Sequence, residues 1–113
     1  MNVVVVRGRL SRPAEERVLE SRTRLVTLEL TVPRPGERAD SVPVAWMGAP
    51  ASAARLDTGE EVLVIGRVRR RFFRSGGGTQ SRTEVLADKV VVTRQAKKAA
   101  LAMAEAMLSL EAA

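Results

Sequence analysis

The 113-residue chain has no cysteine, no histidine and no tyrosine, and its only aromatic residues are Trp46, Phe72 and Phe73. The missing cysteine and histidine together exclude zinc fingers, thiol nucleophiles, Ser-His-Asp triads and histidine general bases. They also exclude a disulfide framework. No hydrophobic run approaches the ~20 residues of a membrane span. Val3-Val4-Val5-Val6 is too short for the core of a secretory signal, and no small-residue cleavage site follows it. Carboxylates offer little more. Glu15-Glu16 and Glu60-Glu61 are chain neighbours that point apart in a strand, and no Asp/Glu cluster has two-metal nuclease spacing. The expectation is a cytoplasmic, non-enzymatic protein with no catalytic residue, no metal, no cofactor and no membrane partner.

What the chain does have is positive charge. Lys and Arg total 19 against 13 Asp and Glu, a net charge of +6, and 16 of the basic residues are Arg. A domain of this size with a pI near 11.2 favours polyanions, nucleic acid before anionic lipid. Arg forks onto phosphates and stacks on bases better than Lys does. Hydrophobic residues at 45% and charged residues at 28% sit near globular averages, so the chain is expected to fold as one domain.

Residues 1–93 read as β-rich. Asn2 to Leu10 opens with four consecutive valines, a run apolar on both faces that wants cover on both, the second supplied by another subunit if not by the chain itself. Arg17-Val18-Leu19 reads as a short strand. Arg24 to Val32 alternates, with Val26, Leu28, Leu30 and Val32 on one face. Pro33 to Asp40 reads as a loop. Val42 to Met47 is a short strand, confined by Pro43 to an edge or bulge. Gly48 to Leu56 reads as two turns of helix with Pro50 in the first turn. Glu61 to Arg74 is the longest strand, Ser75 to Thr79 a flexible hairpin tip and Arg82 to Thr93 the last strand. Residues 94–113, rich in Ala, Leu, Met, Lys and Glu, read as a helical extension with an apolar stripe of Leu101, Ala104, Met107 and Leu108. This order predicts an all-β OB-fold: a five-stranded Greek-key barrel with a short helix between its third and fourth strands, a fold that binds oligonucleotides on one face.

Gly66 to Arg74 holds five Arg and no acid. In a strand, Arg67, Arg69, Arg71 and Phe73 fall in one row, about 6.6–6.8 Å apart, and Val62, Val64, Gly66 and Val68 in the other. Such a row suits a single strand of nucleic acid, with phosphates on the guanidiniums and a base on the ring. A solvated basic edge that discourages aggregation is the alternative. Phe72 alternates inward, so packing and direct contact both stay open for it. Trp46 shares its face with Val42 and Val44, the pattern of a core tryptophan, with base stacking as the other reading. Arg74 belongs to the same cluster. Arg7 and Arg9 share a face, and Arg24 and Arg82 are further candidates. Gly76-Gly77-Gly78 is not a phosphate loop, because no Lys-Ser/Thr and no helix follows it. Gly8 and Gly66 read as barrel bends or points of close packing.

Residues 2–93 resemble bacterial single-stranded-DNA-binding proteins. The resemblance is carried by Asn2 to Leu10, Ser41 to Trp46 with the short helix after it, Gly59 to Arg69 and Arg82 to Val90. It implies a homotetramer that wraps single-stranded DNA with little sequence preference in replication, recombination or repair, in the cytoplasm near the nucleoid. By position, Trp46 and Phe73 match stacking sites of that family, and Arg67, Arg69 and Arg71 match its basic positions. Two departures stand out. The second strand carries no following aromatic. The end, Leu108-Ser109-Leu110-Glu111-Ala112-Ala113, lacks the family's acidic tip, so enzyme recruitment by that route is not expected. The alternative from a different class is a primosome-like OB adaptor that docks a partner through its C-terminal helix.

Overall fold

The structure, a computed structural model, describes residues 1–112. It contains β1 (Val4–Leu10), β2 (Glu15–Val18), β3 (Arg24–Arg34), β4 (Glu37–Met47), a 3-10 turn (Ala51–Arg55), β5 (Glu61–Ser75), β6 (Gly78–Val92) and α1 (Ala96–Ala112). The sheet order is β1-β5-β6-β4-β3-β2, and β1 also pairs with β3 through Arg9–Thr31 and Leu10–Leu30. That second pairing closes β1, β5, β6, β4 and β3 into a five-stranded barrel and leaves β2 outside on the β3 edge. The fold is therefore the OB-fold, with its short turn between the third and fourth barrel strands. The core is where the alternation puts it: Val26, Leu28 and Leu30 from β3, Val44 from β4, Val62 and Val64 from β5, Val85 from β6, with Leu10 closing one end.

Several boundaries differ from those expected. Pro33 to Asp40 is not a loop, because β3 runs on to Arg34, turns at Pro35-Gly36 and returns as β4 from Glu37. The ladder tolerates Pro33 through a register shift between Val32 and Arg34, so the residue without an N–H sits at an irregularity. Pro43 lies just before the two residues, Val44 and Ala45, that pair with β6, on a stretch where that edge of β4 is open. The two expected helical turns at 48–56 shorten to one 3-10 turn, and Pro50 caps it in extended conformation instead of entering it.

The hairpin tip is also tighter than expected. Ser75 pairs with Gly78 across a two-residue turn whose residues, Gly76 and Gly77, have φ of 58° and 82°. Both positive values suit a primed turn, which matches the twist of the flanking strands.

The valine run of β1 is covered on its inner face only, with Val5 on the outer face exposed. Val4 and Val6 pack on the core. On the outer side of the same sheet α1 lies against β5 and β6, burying Ala102 and Ala106, and Leu63 lines the seam with Ala96, Ala99 and Met103. Lys89 donates to Glu105 at 2.8 Å across this contact. The packing face of α1 is thus its alanine face, while Leu101, Met107 and Leu108 stay exposed. The last residue of the expected helical extension, Ala113, lies outside the described residues. No helix among the described residues is long and apolar enough to cross a membrane.

Candidate nucleic-acid interface

The β5–β6 ladder changes surroundings at one point. Its register shifts between Ile65 and Gly66, where Ile65 pairs with Lys89 but Gly66 with Ala87. A Cβ on Gly66 would lie 2.1 Å from the Leu86 carbonyl oxygen, so only glycine lets the strands approach this closely. Before the bulge, Val62, Leu63 and Val64 are buried; β6 stays in the barrel through Leu86 and Val85, opposite Arg67 and Val68, and beyond Arg69 the two strands run on as a two-stranded ribbon. Val68, expected to face the interior, shares the face of core residue Val85 opposite it but is 44% exposed at the barrel's edge. Its N–H donates to the Asn2 side chain at 3.0 Å and its carbonyl accepts from it at 2.6 Å.

One ribbon face carries Arg67, Arg69, Arg71 and Phe73, opposite Leu86, Glu84, Arg82 and Gln80. Glu84 is 4% exposed. It accepts from Arg69 Nε and Nη2 at 3.2 and 3.0 Å and from Arg71 Nε at 3.3 Å, and Arg82 Nε lies 3.4 Å away. Arg82 also donates to Glu29 at 3.0 Å. The expectation of an arginine row free of acids is corrected here, since the facing strand supplies a buried one. Three guanidiniums on one carboxylate still leave positive charge in excess.

This face continues across the outside of the barrel as a groove of about 400 Å³. Arg12, Arg17, Arg69, Arg71 and Arg82 line it with Glu15, Glu29 and Glu84, over a floor that includes Leu25, Thr27 and Met47. Sequence reasoning missed Arg12, Arg17 and Glu84. A usable signal for Glu84 was present: a hairpin closed by Gly76-Gly77 alone pairs Arg69 with Glu84 and Arg71 with Arg82 by counting back along both strands.

Phe73 is 39% exposed, with the Arg71 guanidinium 5.3 Å from its ring centroid. Phe72 is on the other ribbon face and 66% exposed, with Arg70 5.2 Å from its ring. The inward packing left open for Phe72 does not occur, because the ribbon has already left the barrel there. Arg70 donates to Ser81 at 3.1 Å, while Arg67 and Arg74 make no side-chain hydrogen bond or ion pair with the described residues.

The remaining candidates are not brought to the groove. Trp46 pairs with fully buried Val26 and packs half-buried on the core, beside Arg55, Leu56 and Arg94 at the opposite side of β4. Arg7 donates to Glu61 at 2.9 and 3.0 Å, and Arg9 donates to the Gly59 carbonyl at 3.0 Å with Glu61 3.8 Å away. The Thr93 hydroxyl, donating at 2.6 Å, and then Arg7 hold the Glu61 carboxyl below the usual carboxylate range. Arg24 is held by Glu16 at 3.2 Å and by the Ala49 carbonyl at 3.3 Å.

An OB barrel with a basic outer groove and an aromatic-tipped ribbon defines a class of oligonucleotide-binding folds. Among solved structures, the chain is similar to the wild-type single-stranded DNA binding protein from Thermus aquaticus, with 28% identity, a TM-score of 0.67 and 81% of this chain covered. A deletion mutant of that protein gives a TM-score of 0.68 at the same identity. In both cases the match spans 40% of the other chain's length. The dimeric N-terminal domain of PriB protein from Thermoanaerobacter tencongensis shares the fold at 22% identity and a TM-score of 0.64, with 80% of this chain and 94% of that one covered. No family model and no curated protein matches the sequence.

Proposed function

We propose that the chain binds single-stranded DNA with little sequence preference, through Arg–phosphate contacts in the groove and base stacking on the ribbon, and does no chemistry on it. The observation that carries this reading is the continuity of five groove arginines with the ribbon that presents Arg67, Arg74 and an exposed Phe73. Phosphate contacts attract any strand, and a ring face accepts any base, so affinity needs no sequence readout. The similarity to a single-stranded DNA binding protein supports the substrate class. Of the candidate residues, Arg67, Arg69, Arg71, Phe73 and Arg82 form the contact surface, Phe72 and Arg74 add a second ring and a charge on the other ribbon face, and Trp46, Arg7, Arg9 and Arg24 act at its margins or in the barrel. A homo-oligomer acting in the cytoplasm is part of the same proposal, with light scattering as the check on assembly.

Fluorescence anisotropy with labelled oligo(dT) tests the reading. Four or five phosphate contacts predict a slope of log affinity against log salt of about −3. Absence of binding at low salt removes the proposal. A second reading, an adaptor, is favoured by the exposed Leu101, Met107 and Leu108 on α1. Leu101→Glu with Leu108→Glu separates the two: DNA binding stays and partner capture is lost if α1 docks a protein.

A further inference from the structure

Glu84 is the one buried charged residue among the described residues, and it lies under a groove that, on the reading above, attracts anions. On charge alone a carboxylate there is a defect. It offsets one guanidinium and repels an incoming phosphate. Burying it also costs free energy that only close pairing repays.

The contacts give it a different role. Arg69, Arg71 and Arg82 all approach Glu84 through the Nε side of the guanidinium. A guanidinium is a planar fork of five N–H donors, so one held by its Nε edge keeps terminal donors turned away from the holder. Arg71 spends neither Nη on this carboxylate, Arg69 keeps Nη1, and Arg82 keeps Nη1 after giving Nη2 to Glu29. The three side chains are 33%, 48% and 43% exposed, so these outer edges are reachable from the groove.

We propose that Glu84 is a positioning residue that fixes Arg69, Arg71 and Arg82 as one seat for the phosphate backbone of the bound strand. Arginine side chains lose considerable rotamer freedom on binding. Ordering them in the free protein removes that cost from association. One acid shared by three arginines orders the array and still leaves it cationic. This rests on the groove being the single-strand site.

The test compares two acids of the same groove in the full chain, by oligo(dT) anisotropy. Glu29→Gln removes a half-buried charge whose one ion pair is with Arg82, and tighter binding is expected. Glu84→Gln removes the same charge, yet about fivefold weaker binding is expected, because the array loses its anchor. Unchanged or tighter binding by a folded Glu84→Gln chain overturns the proposal. A spectroscopic readout accompanies it: the Nε–H resonances of Arg69 and Arg71, resolved in the free wild type, should broaden or exchange in Glu84→Gln while the backbone spectrum stays. Unmoved resonances overturn it as well. Should Glu84→Gln not fold, Arg71→Lys against Arg67→Lys decides, since lysine keeps charge but has no Nε fork. The first should weaken binding about fivefold and the second less than about twofold; equal losses overturn the proposal. Wild-type chain that fails to bind oligo(dT) is a separate result, which removes the groove reading and this inference with it.

Discussion

On either side of Gly66 the β5–β6 ladder has the same antiparallel pairing and opposite surroundings. On the barrel side Val62 and Val64 are sealed from water, and the ladder is held by packing. On the ribbon side, beyond the Val68–Val85 pair, Arg69 to Ser75 have almost no core beneath them, and the ladder is held by its hydrogen bonds, the Arg69–Glu84 pairing and two cation–ring contacts. Exposed contacts of that last kind contribute only about 0.5–1 kcal/mol each. Stability therefore resides in one half of the ladder and ligand chemistry in the other, with a glycine bulge as the boundary. Large effects of substitution on folding and on binding should accordingly separate along the chain.

The most severe way to break the comparison is at the boundary itself. Gly66→Ala places a Cβ against the Leu86 carbonyl, and an atom of the main chain cannot step aside. A loss of about 3 kcal/mol or more is expected in chemical denaturation; wild-type stability would mean the bulge adapts freely. Within the barrel half, Val64→Ala should cost about 2 kcal/mol, while Val68→Ala at the barrel's edge should stay under about 0.5 kcal/mol. Equal costs would erase the distinction. In the ribbon half, Phe73→Ala should leave the melting temperature unchanged and weaken oligo(dT) binding by about 1–3 kcal/mol. Undiminished affinity would take that ring out of the site.

The smallest effect concerns pH at the barrel end. Thr93 and Arg7 lower the Glu61 carboxyl in the folded state, so this group adds stability above the ordinary glutamate value and loses it as pH falls through the lower folded value. Glu61→Gln should thus be less stable than wild type at neutral pH, and the gap should narrow below about pH 4. A gap independent of pH would assign the contact to packing.

Much of the barrel was legible because local patterning and topology agree. Val26, Leu28 and Leu30 alternate cleanly in the sequence and are buried together, and the short turn falls between the strands where an OB barrel has one. The misread segments share a cause. Pro33 and Pro35-Gly36 look like a loop in isolation, but strand pairing across the hairpin carries β3 past Pro33 to Arg34 and begins β4 at Glu37, so only Pro35-Gly36 is left as the turn. Phe72 looked inward because strict alternation assumes an interior to face, and beyond the Val68–Val85 pair there is none. For the site, the arginine cluster was visible as composition. Arg12 and Arg17 come from a segment that meets the groove only through the pairing of β2 with β3.

The chain alone determined its class, its net positive charge, its all-β barrel and the segment in which arginine and phenylalanine collect, because these follow from residue type and periodicity over a few neighbours. Tertiary structure decided which side of the barrel that segment reaches, that α1 folds back on the sheet through Ala102 and Ala106, and that Glu84 lies beneath three arginines. Those outcomes depend on strand register and on where the ladder leaves the core. Both are properties of contacts between residues distant in the chain, which no local pattern carries.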